Sequence, residues 1–275
     1  MPIPARRPAG HDLGDHPHFA VTVDVIVLTI DEGQLKVLLV KRGQDPYKGR
    51  WAIPGGFVHE NENFRDAAER ELVEETAIHI AATHLEQLHT YGEPDRDPRM
   101  RVVTVGYLAL VPALEAPKAG TNARCADLVP VSNILGSLLP GHLAFDHDVI
   151  LRDAVDQART MLETCSVATA FVQEPFSLSQ LRAVYEIIWS QRVDTGNFRR
   201  KVLSTPGFVV RTGERGTPRR GGGKPPDLYR AGDKVRLDPP IRRLTSGSPS
   251  WPGDRKPVPQ VSGQYAAFGR DGVSP

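Results

Sequence analysis

Two kinds of apolar pattern alternate along this chain. From Val21 to Ile30 the residues are largely β-branched and apolar, and Gln34 to Lys41 repeats the pattern after an Asp-Glu-Gly turn. Together they read as a hairpin of buried strands. Trp51 to Phe57 reads as a short strand broken by a Pro-Gly-Gly turn. The period then becomes helical from about Phe64 to Glu75, with Asn63 placed to cap the N-terminus. Strand patterns return at Leu85 to Tyr91, Arg101 to Val111 and Ala126 to Val131, and 112–124 reads as a loop. Strands before and after a helix predict a mixed α/β domain.

The rear of the chain is helical. Between Asp148 and Glu163, the residues Ile150, Leu151, Ala154, Val155, Ala158 and Leu162 recur at helical spacing. Ser177 to Gln191 predicts a second helix, opened by a Ser177/Gln180 capping box and striped by Leu178, Leu181, Val184, Tyr185 and Ile188. A turn at Val193 to Gly196 leads to a shorter helix through Leu203. Phe208 to Val210 and Leu228 to Arg230 predict a hairpin around a Gly-rich basic loop. Residues 1–18 and 237–275 are rich in Pro and Gly and are expected to be disordered.

Charge separates the same two regions. Residues 1–170 hold 16 Lys and Arg against 24 Asp and Glu, whereas 171–236 hold 13 against 6. A formal net charge of +1 conceals an acidic front and a basic rear. Such asymmetry points to different partners, with nucleic acid the expectation for the basic part. The two cysteines, Cys125 and Cys165, stand in no metal-ligand spacing. The N-terminus has no apolar stretch of the signal-peptide kind, and no apolar run approaches the ~20 residues of a membrane helix. A soluble cytoplasmic protein with no membrane partner is expected.

The candidate chemistry lies on the first helix. On a helical wheel Phe64, Ala67 and Ala68 share a face, and Glu71, Glu74 and Glu75 continue it one turn on. Like charges at this spacing destabilise a helix by ~0.2–0.5 kcal/mol per pair, and acids near its C-terminus oppose the dipole. A bound cation resolves the conflict, and all-oxygen ligands suit Mg²⁺ or Mn²⁺. Three glutamates alone also fit a solvated charged helix. The wider spacing favours the metal: Gly56, five residues, Glu62, seven residues, then Arg70-Glu71-Leu72-Val73-Glu74-Glu75-Thr76-Ala77-Ile78.

That spacing resembles the Nudix box, G-x5-E-x7-R-E-U-x-E-E-x-G-U, with U aliphatic; Ala77 stands where the family usually has Gly. The resemblance implies an α/β Nudix fold, a mixed sheet between helices. It implies Mg²⁺ or Mn²⁺ on Glu71, Glu74 and Glu75, joined by the backbone carbonyl near Gly56. Glu71, Glu74, Arg70 and Glu62 are the implied catalytic set, Arg70 orienting a glutamate and Glu62 bracing the box. The implied reaction is attack of water on phosphorus in a nucleoside diphosphate derivative. Glu115 is a candidate for the general base. Arg96-Asp97-Pro98-Arg99 is similar to a segment of ADP-ribose pyrophosphatases, making Arg96 and Arg99 candidate substrate ligands; a surface loop of local ion pairs is the other reading. Phe145-Asp146-His147-Asp148 also resembles a family segment, with Asp146 or Asp148 read as a helix cap and His147 possible near the site. Trp51 is read as a core residue rather than an adenine platform.

Helix, turn, helix and hairpin is the order of a winged helix-turn-helix. Phe198 and Val202 anchor the second helix, leaving Asn197, Arg199, Arg200 and Lys201 to face DNA, with the wing segment Pro218-Arg219 touching phosphates. The stretch from Phe176 to Phe208 resembles the rear domain of Nudix-related regulators of NAD metabolism. The expected organisation is a Nudix domain over 19–145, a connecting helix over 146–170 and a winged helix over 171–236. Its partners are then ADP-ribose or a related nucleotide and operator DNA, in a homodimer. The intact carboxylates imply hydrolysis as well as sensing. The alternative is a housekeeping ADP-ribose pyrophosphohydrolase that does not bind DNA.

Overall fold

The computed structural model describes residues 17–80, 85–112, 114, 116–117, 123–136, 143–217 and 224–243. Strand β1 (Ala20–Asp31) is buried along most of its length because it lies mid-sheet with cores on both faces. Val23, Val25 and Val27 enter one core, and Ile26 and Leu28 enter the other. The sheet order is β3 (Trp51–Ala52), β2 (Gln34–Arg42), β1, β6 (Val102–Leu110), β5 (Glu86–Tyr91). Strand β4 (Gly55–Phe57) pairs with β1, and β7 (Ala123–Pro130) with β2. β1 and β6 run parallel, and the other pairs antiparallel.

Helix α1 (Phe64–Thr76) covers the first face with Ala67, Ala68 and Leu72. The Asn63 side chain accepts from the backbone N–H groups of Arg65 and Asp66, a cap worth ~1 kcal/mol. Phe64 departs from the wheel: at the first position of the helix it is 44% exposed. The helix ends with Ala77 in the left-handed region, φ 56°. A Cβ is strained there by ~1–2 kcal/mol. Ala77→Gly is therefore expected to raise stability by about 1 kcal/mol in urea denaturation; no gain would show the strain to be relieved elsewhere.

The opposite face is covered by α2 (Val131–Leu135) and α3 (His147–Thr164). α2 begins at Val131, where the sequence pattern ends the preceding strand. The Tyr91 hydroxyl donates to Asp153 at 3.0 Å and ties β5 to α3. Asp146 stands at the N-cap of α3, but its side chain makes no capping bond, which corrects the expected role. It is occupied by Arg96, and Asp148 accepts instead from the Leu143 N–H at 3.4 Å.

A 3-10 turn, Ser166–Phe171, leads to the rear unit. It comprises α4 (Leu178–Trp189), α5 (Thr195–Ser204) and a sheet ordered β8 (Phe176–Ser177), β10 (Asp227–Ala231), β9 (Val209–Arg215). The Ser177/Gln180 capping box is formed. β8 was not legible as a strand, being two residues long. Tyr185 centres the aromatic core, with ring centroids 4.9 Å from Trp189 and 5.1 Å from Phe198.

The expected disordered tail begins too early at 237. Leu237 and Ile241 are buried, and their N–H groups donate to the carbonyls of Thr164 and Glu163 at 2.7 and 2.9 Å. The last carbonyls of α3 lack partners within the helix, and this return segment supplies them. Among the described residues no helix is long and apolar enough to cross a membrane. Most of the expected disordered N-terminus lies outside the described residues, as do Glu115 and the wing segment Pro218-Arg219.

Candidate functional site

A cleft of about 420 Å³ opens where β1, the β3–β4 loop, α1 and the start of α3 meet. Asp24, Glu71, Glu74 and Glu75 line it, facing Arg42, Arg70, Arg96 and Arg99. The loop can approach α1 closely because Gly55 and Gly56 lack side chains. A Cβ on Gly56 would collide with the Glu71 carboxylate, and one on Gly55 with the Val23 carbonyl.

Arg70 organises the glutamates. Its Nε and Nη2 donate to Glu62 at 2.9 and 2.6 Å, a bidentate pair. Nη1 donates to Glu71 at 2.7 Å and to Glu74 at 3.3 Å, and Nη2 also reaches the Phe57 carbonyl at 3.0 Å. Glu62 accepts the His59 N–H as well, at 2.8 Å. The Arg70 bonds outweigh burial and hold the Glu62 carboxyl down at about 2. Glu62 thus pins Arg70, and Arg70 positions two glutamates.

Glu75 sits deeper. Its Oε2 accepts the Gly55 N–H at 3.1 Å. Burial pushes its pKa up to about 7, against the help of that N–H, and Glu71 and Asp24 add to the rise. Burial also raises Glu71, although Arg70 opposes it. Desolvation drives both half-buried carboxyls toward the neutral form, against the nearby arginines. A hard divalent cation fits such a site, and the donors are all oxygen. Among the described residues no three such side chains already converge on one point, since Glu74 is turned toward Arg70.

The two candidate arginines differ. Arg99 is 43% exposed at its side chain, is paired with Asp97 at 2.7 Å, and lies over the rings of Phe57 and Phe145. Arg96 is only 4% exposed at its side chain and is committed to protein carboxylates. It donates to both oxygens of Asp146, at 2.9 and 2.7 Å, and lies 3.5 Å from Asp24. Arg42 stacks on Phe145 with its Cζ 4.7 Å from the centroid. Trp51 is half-buried against the core, with Lys41 over its ring.

Sequence reasoning missed Asp24 and Arg42. The signal for Asp24 was a single acid within a β-branched run. It shares the strand face of Ile26 and Leu28, so it points at the start of α3. There the His147 Nδ1 accepts the Ile53 N–H at 2.9 Å. The remaining proton of a neutral imidazole then belongs on Nε2, which lies 3.5 Å from Asp24. Burial lowers the His147 pKa, in keeping with the neutral ring.

In the rear unit the turn between the helices is clamped. Glu186 accepts from Arg182 at 2.8 Å and from the Val193 N–H at 3.0 Å, while Arg182 reaches the Val193 carbonyl at 2.9 Å. Asp194 caps α5 through the Asn197 N–H. Phe198 and Val202 are buried, whereas Asn197, Arg199 and Arg200 are exposed. Arg200 donates to the side-chain Oδ1 of Asn197 at 2.9 Å. Lys201 is half-buried and directed at the Arg242 carbonyl, 3.5 Å away.

Residues 18–153 match the NUDIX domain, and residues 168–231 match the NrtR DNA-binding winged helix domain. The ADPR responsive transcriptional repressor NtrR of Acinetobacter baylyi is 31% identical over 224 residues, 81% of this chain and 86% of that protein. The chain belongs to the NrtR family of Nudix transcriptional regulators. The crystal structure of Shewanella oneidensis NrtR complexed with a 27mer DNA is similar to it with a TM-score of 0.61 and 30% identity, covering 79% of this chain and 98% of that one. An ADP-ribose pyrophosphatase of Methanocaldococcus jannaschii is 40% identical over 136 residues, 50% of this chain and 73% of that protein. This NrtR-family chain therefore joins a Nudix hydrolase fold to a DNA-binding winged helix.

Proposed function

We propose that this protein is an ADP-ribose-responsive transcriptional repressor whose Nudix domain also hydrolyses the nucleotide. One observation carries the reading: a cleft lined by carboxylates and arginines shares a chain with a helix-turn-helix whose second helix exposes Arg199 and Arg200. The repressor from Acinetobacter and the pyrophosphatase from Methanocaldococcus support its two halves.

Glu71, Glu74 and Glu75, with the Gly56 carbonyl, hold Mg²⁺ or Mn²⁺ in this reading. When bound, the metal neutralises pyrophosphate oxygens and lowers the pKa of the attacking water. Arg70 keeps Glu71 and Glu74 in place, and Glu62 keeps Arg70 in place. Arg99 offers the direct contact to the diphosphate, and Arg96 supports the floor beneath it. Asn197, Arg199 and Arg200 face operator DNA in this reading, together with Pro218-Arg219 of the wing, whereas Lys201 is turned to the return segment at Arg242. The domain limits stay as expected from sequence, except that the return segment to 243 joins the folded part. The assembly is a homodimer, as two-fold operators require.

Two measurements on the full chain test this. ADP-ribose titrated into the complex with promoter DNA releases the DNA, and AMP accumulates with Mg²⁺ but not with chelator. AMP formation with no specific DNA binding would leave a plain hydrolase; release without AMP would leave a pure sensor. DNA affinity also falls with salt. Each phosphate contact contributes a slope of about −0.9 in log K against log salt. Arg199→Ala with Arg200→Ala should therefore flatten the slope by ~2. An unchanged slope removes both residues from the interface.

A further inference from the structure

Helix α3 touches the nucleotide cleft at one end and the winged helix at the other. At its start, Leu143 bridges Trp51, and the Ala144 N–H donates to the Trp51 carbonyl at 2.8 Å. Two residues on, the Ile53 N–H donates to His147 Nδ1. Ile53 leads into Pro54-Gly55-Gly56, whose Gly55 N–H holds Glu75. His147, the first residue of α3, is 4% exposed and wedged against Asp24 and the Phe145 ring.

At the far end α3 grips the DNA-binding unit. Arg159 Nε donates to the Ile188 carbonyl at 3.2 Å, and the Trp189 indole donates back to the Arg159 carbonyl at 3.1 Å. The return segment closes the last turn through Leu237 and Ile241, and Arg243 pairs with Glu163 at 3.2 Å. Lys201 of α5 reaches the same segment at Arg242. Both ends of the helix are thus bonded to something that matters for function.

We propose that His147 is the positioning residue through which nucleotide in the cleft reaches the DNA-binding unit, by tying Ile53, at the root of the Gly55-Gly56 loop, to the start of α3. The inference rests on the reading of this cleft as a regulatory ADP-ribose site. A ligand that draws on the loop must either break the Ile53–His147 bond or move the helix. Breaking it strands a buried N–H, so the displacement passes to α3. α3 then carries α4 and the return segment with it. Nucleotide shifts DNA affinity only as far as it favours one of these two arrangements.

The test compares the intact protein with His147→Ala, His147→Asn and His147→Gln. The readout is the ratio of promoter-DNA Kd with saturating ADP-ribose to that without, by fluorescence anisotropy. Saturation is fixed for each variant by calorimetry. The wild-type ratio is expected at ~10 or more, within the usual range of coupling. His147→Ala should bring it within about twofold of unity although nucleotide is bound. Asn places an amide oxygen near the Nδ1 position and should restore most of the ratio. Gln places its amide one bond further out and should not. If His147→Ala does not fold, the contrast between Asn and Gln decides. A wild-type ratio in His147→Ala, or equal behaviour of Asn and Gln, overturns the inference alone. A wild-type protein whose DNA affinity ignores ADP-ribose overturns the regulatory reading and the inference together.

Discussion

Glu75→Gln lowers ADP-ribose turnover by ~10²–10³-fold while making the metal-free protein more stable, the first of the two largest effects expected here. Gln keeps the size of the side chain and an oxygen to accept the Gly55 N–H. It removes a charge from a buried site and a hard ligand from the metal. The sign of the stability effect follows from the proton balance. The folded-state pKa of Glu75 is about 7, against an ordinary 4.5, so the folded metal-free protein binds the proton more tightly than the unfolded chain. The contribution of Glu75 to stability is therefore fully present below about 4.5 and is lost as pH rises through about 7. The wild type at pH above that window carries the full cost of the charge, and the variant does not. Thermal melts in chelator should show a higher Tm for the variant at alkaline pH, by ~2–4 °C per kcal/mol relieved, and no difference in acid. Added Mg²⁺ should raise the wild-type Tm and leave the variant nearly unmoved. AMP release at wild-type rate from the variant would remove Glu75 from the metal site.

The second large effect is on folding. Arg96→Met should destabilise the protein by ~3–5 kcal/mol, because it leaves the buried Asp24 and the half-buried Asp146 without their cation. The side chain of Arg96 is only 4% exposed, so little of this is screened by water. Arg96→Lys keeps the charge and loses the bidentate fork, and should fall between. Urea denaturation measures both. A loss below about 1 kcal/mol in Arg96→Met would show that the arginine faces ligand rather than holding the floor of the cleft.

These two residues mark where sequence reading succeeds and where it stops. The glutamate helix was legible because its chemistry is local. Glu62, Arg70, Glu71, Glu74 and Glu75 lie within fourteen consecutive residues, and helical spacing alone sets which of them share a face. The strands of the first domain were legible because β1 and β2 are buried on both faces and leave long β-branched runs. The capping box at Ser177 and the anchors Phe198 and Val202 were legible for the same local reason.

What the sequence alone determined, then, is a set of features whose partners lie within a turn or two: the box, the caps at Asn63 and Ser177, the buried stripes, and the split between an acidic front and a basic rear. Only the tertiary structure decided the rest. Arg96 meets Asp146 across 50 residues, and Ile53 meets His147 across 94. No periodicity records such a pairing, since Arg96 alone reads as a surface charge, Asp146 as a helix cap and Ile53 as part of a short strand. The return of residues 237–243 onto α3 was hidden likewise. Two apolar residues in a Pro-rich stretch promise no core of their own. They become buried because the end of a helix elsewhere has carbonyls to satisfy and a hydrophobic surface to cover.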